Sequence, residues 1–322
     1  MRRRGFLKTG VAGAAAFSLS GLTALAGRAF AANIQVNFVA ESASKALGGT
    51  ATSTIWRFRD TTTPTAKGPG ALSSGLRLVE GDTVTVNLTN SLNRPVGFVI
   101  PGITVSPTTP TAAGATQAYT FMASAAGSYF FTDHATELIG RAMGLAGPIV
   151  VMPADGSPSL VAGGTPFDNQ YTLFLNELDT RLNAAIAAGG NGAAELANYE
   201  PDYYFVNGLA YPATETDPDT LVNLVATTPI RQTAMRFING GLHLNAMHFH
   251  GYHVNVAFRN RISEPAIVEK DTVGISVAEC VDVMLPVTQP GMYEVHNHFL
   301  PGVTGAGVYP NGALILLDAV AA

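Results

Sequence analysis

Two H-x-H pairs are the part of this sequence best equipped for chemistry. His248 and His250 stand in "AMHFHGYH" (246–253), and His296 and His298 in "EVHNHFLPG" (294–302). Side chains along a strand alternate between faces, so each pair sends both imidazoles to one side. Two convergent imidazoles are half of a metal site; the competing reading is a set of hydrogen-bonded core histidines. A further candidate ligand, His134, ends "GSYFFTDH" (127–134). His253 falls on the opposite strand face from His250 by parity and reads as a supporting or structural residue. His243 lies in a Gly-rich approach loop. Cys280, in "AECVDVML", sits between Val and Leu positions and is expected to be a buried, inert thiol.

The elements that must position these residues are strands. Short runs rich in Val, Ile, Thr, Phe and Tyr recur between turn signals. "LRLVEGDTVTVNLTNSL" (76–92) reads as a hairpin around a Gly-Asp turn, and "GSYFFTDH" and "LAGPIVVMP" (145–153) as further strands. The second half repeats the plan: "IRQTAMRFING" (230–240) matches the 76–92 hairpin, "GMYEVHNH" (291–298) matches "GSYFFTDH", and "NGALILLDAV" (311–320) matches "LAGPIVVMP". His134 thus takes the first-half place of the "VHNH" strand end. An all-β chain of two similar units is expected, joined near 153–166. The stretch 178–200 breaks the pattern and reads as an insertion with short helical pieces.

"RRGFLK" (3–8), a weakly apolar stretch and an A-x-A pattern ending at Ala31 read as a twin-arginine export signal over 1–31. That stretch is dominated by Ala, Gly and Ser, too weakly apolar for a membrane anchor. Its removal takes five of the 18 basic residues and none of the 23 acidic ones, leaving a net charge near −10. Nucleic acid and anionic membrane surfaces are poor partners for such a chain. One cysteine forbids an internal disulfide, so a buried core must hold the fold. The expected divisions are 32–155 and 156–322, in a periplasmic or secreted protein.

Taken in order, "VEGDTVTVNLTNSL", "GSYFFTDH…MGLAGPIVV", "YFVNGLAYP", "MHFHG" and "PGMYEVHNH…GALILL" resemble the two-domain multicopper oxidases and the related copper nitrite reductases. The resemblance covers nearly all of the chain after residue 31 and implies two cupredoxin-like Greek-key β-sandwich domains. The departures are as informative as the matches. Where the family places the cysteine, the two histidines and the axial ligand of its type 1 copper, this chain has Asn297, Asn245, Gly302 and Gly307. Asp133 replaces the corresponding cysteine of the first half, and Val99 to Gly102 carry no histidine where the family has H-x-H-G. Of the family's trinuclear cluster, one type 3 copper keeps all three ligand positions, at His134, His250 and His296. His248 and His298 remain beside it as spare imidazoles.

The resemblance therefore implies one three-histidine mononuclear site suited to copper, with zinc second, and no type 1 centre, because soft thiolate coordination is what that centre requires. An exported copper oxidoreductase working on a small-molecule substrate or oxidant (nitrite, superoxide or peroxide) is expected, with His248 or His298 as proton donor. Laccase-type turnover needs more coppers and a relay. The alternatives are a non-enzymatic envelope scaffold with degenerate metal sites, and copper storage or delivery, against which the lack of Met-rich runs argues. Because His134 belongs to the first unit and His250 and His296 to the second, the resemblance also implies a homotrimer with sites between subunits.

Overall fold

A computed structural model describes residues 22–23, 31–62, 73–136 and 138–322. The export-signal reading lies outside the described residues except for Ala31 and for Leu22–Thr23, which pair in parallel with Gly75 and Leu76. The first half is a sandwich of two sheets. One runs in the order Ala51–Asp60, Asn33–Gly48, Thr83–Asn90, Thr116–Met122, Val105–Ser106; the other carries Gly75–Val79, Ala146–Met152 and Gly127–Thr132. The second half is also a sandwich. Its six-stranded sheet runs Tyr203–Val206, Asn169–Leu178, Arg231–Asn239, Cys280–Val287, Val254–Arg259, Ile262–Lys270, and its five-stranded sheet runs Val222–Ala226, Leu314–Ala321, Gly291–Asn297, Asn245–Phe249, Thr272–Ile275. The fold is all-β, with two cupredoxin-like sandwiches.

Periodicity explains which faces are buried. In Thr83–Asn90 the even positions Val84, Val86 and Leu88 are buried, while Thr85 and Asn87 between them are only half-buried. They meet a cluster of Phe38, Phe58, Phe98 and Phe131, whose ring centroids lie 5.1 to 6.4 Å apart. Met235, Phe237, Met247, Val283, Leu285, Ile315 and Leu317 fill the second sandwich. Gly127–Thr132 is buried along its whole length, and Ala146–Met152 nearly so, because both faces are covered: one by the first core, the other by the second sandwich.

The stretch 76–92 is not a hairpin. Gly75–Val79 pairs with Ala146–Met152, whereas Thr83–Asn90 pairs with Asn33–Ala40 and Thr116–Met122, so the Gly-Asp turn is a corner between sheets. The Asp82 carboxylate holds that corner, accepting from the amides of Val79 and Ala32 at 2.8 Å each. The matching stretch 230–240 is one continuous strand, Arg231–Asn239.

The stretch 178–200 does form helices, Thr180–Ala187 and Ala193–Ala197. Asp179 caps the first by accepting from the amides of Arg181 and Leu182. Leu182 and Ile186 enter the core of the first sandwich beside Ile139 and Met143, and Asn183 Nδ2 donates to Thr54 O at 2.6 Å. The second half of the chain thus completes the first core.

The sandwiches meet through the six-stranded sheet of the second. Phe130 and Ala146 from the first pack on Phe174, Ile238 and Cys280 from the second. Arg141 donates from Nε to Gly240 O at 2.7 Å and from Nη2 to Gly241 O at 2.5 Å, with its guanidinium over the Phe130 ring. Fully buried Arg236 donates to Gln170 Oε1 at 3.0 Å and to Ser128 Oγ at 3.3 Å, and its Nη1 lies 3.6 Å from Asp282 Oδ2. The Ser128 hydroxyl donates in turn to Asp282. Burial pushes the Asp282 carboxyl up, and the guanidinium, which stays charged, opposes that push. Among the described residues no helix is long and apolar enough to cross a membrane.

Candidate metal centre

Strands Asn245–Phe249 and Gly291–Asn297 are antiparallel neighbours in the middle of the five-stranded sheet, and their register builds the centre. His248 lies directly opposite His296. One step along, the amide of His250 donates to Glu294 O at 3.0 Å; one step back, the amide of His298 donates to Ala246 O at 2.6 Å. Met247, Phe249, Val295 and Asn297 point the other way and are buried. The strand period therefore places His248, His250, His296, His298 and Glu294 on the outer face of the sheet. His250 and His298 stand one residue beyond the strand ends, and the chain's own first sandwich packs against the opposite sheet.

The four imidazoles form one cluster. Ring centroids are 4.8 Å apart for His248 and His250, 5.1 Å for His250 and His296, and 5.2 Å for His248 and His298. The Nε2 atoms of His250 and His296 are 3.0 Å apart. Around a metal with bonds of about 2.05 Å, two nitrogens are about 2.9 Å apart at a right angle and about 3.3 Å apart at a tetrahedral one. His296 Nδ1 faces the Asn297 carbonyl at 3.4 Å, and a carbonyl only accepts, so Nδ1 carries the proton and Nε2 the free lone pair. Burial, with His250, His248 and His298 nearby, holds His296 below the usual histidine range despite that contact. His248 Nδ1 is 2.8 Å from Thr272 Oγ1, which fixes its ring. Glu294 joins His250 and His296, the ligand atoms of the three lying within 4.8 Å of one another. Sequence reasoning missed Glu294, although it sits two residues before His296 and shares its face by the same parity.

His134 is held elsewhere, at the end of Gly127–Thr132 in the first sandwich. Its ring lies so close to Gly97 that a Cβ there would meet Nδ1 at 2.2 Å, and its Nε2 is 3.0 Å from Thr108 O. The neighbouring Asp133 is buried and accepts from the amides of Gly97 at 2.6 Å and Ala135 at 2.9 Å, stitching that loop to the sandwich. His243 is half-buried, 3.2 Å from Tyr204 Oη and edge-on to Phe299; burial holds it below the usual histidine range. His253 is exposed, but the parity argument for it does not apply: the strand ends at Phe249 and the chain then crosses to the other sheet. Cys280 is buried between the sandwiches, and burial pushes its thiol far up.

Asn297, Asn245 and Gly302 also come together. Asn297 Nδ2 donates to Asn245 Oδ1 at 2.7 Å, and its Oδ1 accepts from the amides of Ala246 at 3.0 Å and Phe299 at 3.1 Å. A Cβ on Gly302 would meet Asn297 Nδ2 at 2.2 Å. The pocket is closed by neutral amides that satisfy one another.

The donor set on the outer face, with imidazole nitrogens converging and a carboxylate beside them, fits copper once the proton shared by the His250 and His296 Nε2 atoms is displaced. Residues 69–156 match the family model described as multicopper oxidase. No curated relative matches the sequence. The fold is similar to that of the blue copper oxidase from Nitrosomonas europaea, at 22% identity over 89% of this chain and 86% of that one, with a TM-score of 0.74. It is similar to the copper nitrite reductase from the same organism, at 17% identity over 90% and 94% of the two chains, with a TM-score of 0.66. A multi-copper oxidase from Pseudomonas thermotolerans gives 18% identity over 91% of this chain and 64% of that one, with a TM-score of 0.66. The chain thus has the two-sandwich cupredoxin fold of multicopper oxidases and copper nitrite reductases, and its residues 69–156 carry the multicopper oxidase match.

Proposed function

We propose that this protein is an exported copper oxidoreductase working at a single metal centre on the outer face of the second sandwich, without a type 1 copper. The observation that carries this reading is the 3.0 Å approach of His250 Nε2 to His296 Nε2 within a cluster of four imidazoles. Copper, when bound, supplies one-electron chemistry and an electrophilic position for a small oxidant or anion. His250 and His296 hold it. His248, oriented by Thr272, and His298 stand within reach to donate protons to what binds there. The hydrogen-bonded pair Asn245–Asn297 favours the absence of a thiolate relay, and so excludes laccase-type turnover from the reading.

His134 enters this reading from a neighbouring subunit of a homotrimer. Two observations support that assembly: the imidazole face is turned away from the chain's own first sandwich, and exposed apolar residues flank both partners of the contact. Leu138 near His134 is 50% exposed, and Met292, on the strand of His296, is 62% exposed. Metal analysis and EPR on protein purified from its own periplasm test the function. About one Cu(II) per chain is expected, with no intense copper–thiolate colour. His250→Ala should remove most of the affinity, and His253→Ala little. Equal losses from the two variants, or three coppers per chain, would overturn the reading. A folded protein with no copper would favour the scaffold alternative, which the closed Asn245–Asn297 pair also suits.

A further inference from the structure

We propose that Glu294 is a metal ligand, so that His250, His296 and Glu294 of one chain make a two-histidine, one-carboxylate centre that loads without His134. The inference rests on the reading that this face binds copper, and it changes which atoms do the binding. The three donors lie within 4.8 Å of one another. Their order is fixed by the sheet: Glu294 is cross-strand to His250 and two residues from His296, so the three occupy corners of one small triangle where these two strands meet. Among the described residues no basic side chain forms an ion pair with Glu294. A divalent cation among the imidazoles supplies the missing countercharge. His134, by contrast, needs both a second subunit and release of its Nε2 from Thr108 O.

The donor set has a chemical consequence. A carboxylate is a harder ligand than imidazole, so replacing one imidazole by Glu294 favours Cu(II) over Cu(I). One negative ligand on a dication also leaves the centre cationic, which suits an anionic small molecule at the open position. His134 then contributes to assembly rather than to loading.

The test is Cu(II) titration of the full chain after chelation, in competition with a chelator of known affinity and followed by EPR. Glu294→Gln should weaken binding by more than the roughly 10–100-fold that loss of an outer-shell partner costs. Glu294→His should restore affinity and raise the nitrogens seen in the hyperfine pattern from two to three. His134→Ala should leave affinity within about threefold, less than half of one 1.4 kcal/mol decade. Glu294 is exposed, so these variants should keep the circular dichroism of the parent. If His134→Ala abolishes binding and Glu294→Gln does not, the carboxylate assignment is wrong and the three-histidine site stands. If His250→Ala also leaves copper bound, both readings fall.

Discussion

Replacing Glu177 by Gln should remove the pH dependence of a buried contact behind the imidazole face. Glu177 is fully enclosed where the sandwiches meet. Its Oε1 accepts from the amides of Leu242 at 2.5 Å and His243 at 3.1 Å and from Tyr199 Oη at 3.2 Å, while Oε2 has no partner among the described residues and faces Gly241. These bonds hold the loop that feeds strand Asn245–Phe249. Burial pushes the carboxyl up to about 7 from an ordinary 4.5, against the pull of those donors and of Arg141. Between those two values the folded chain keeps a proton that the unfolded chain has released, so the contribution is complete below 4.5 and is lost as pH rises to about 7. That difference corresponds to about 3 kcal/mol. Gln cannot ionise, so the stability gap between parent and variant should move by about 3 kcal/mol in favour of the variant from about pH 4 to about pH 8. Trp56, the sole tryptophan, is buried on the strand that receives the helix Thr180–Ala187, so its fluorescence during denaturant titration reports this region. A gap that is the same at both pH values would refute the assignment.

Two further outcomes are expected. Asp282→Ala strands the fully buried Arg236 charge between the sandwiches and should cost about 3–5 kcal/mol in denaturant unfolding, whereas a loss under about 1 kcal/mol would show that Gln170 and Ser128 suffice. Light scattering should give the mass of three chains, with metal tightening the assembly only by the extra affinity His134 confers, about 1.4 kcal/mol per site for each tenfold; one-chain mass with and without metal would rule the trimer out.

The strand period made the imidazole cluster legible, because H-x-H fixes a face whatever the partner strand. The same parity pointed to Glu294, but a carboxylate two residues from a histidine is common enough that only the cross-strand register gives it meaning. The 76–92 stretch misled for the opposite reason: a Gly-Asp turn is a local signal, whereas the choice of sheet for each flanking strand depends on Ile34, Val36 and Ile149, far away in sequence. The parity argument for His253 does not apply, because parity holds only while a strand lasts, and Gly251, at φ 70°, follows its end. The helices of 178–200 were visible from their composition, while their docking on another sandwich was not.

That docking carries a consequence for how the chain is made. During synthesis the first sandwich leaves the ribosome with its core open beside Ile139 and Met143, because Leu182 and Ile186 lie some forty residues further along. Its closure waits on sequence that also starts the second sandwich, so the halves mature together and a nascent chain stopped between them exposes apolar side chains. This late-arriving plug is a built-in check: an unfinished molecule keeps apolar side chains open to chaperones until both halves are present.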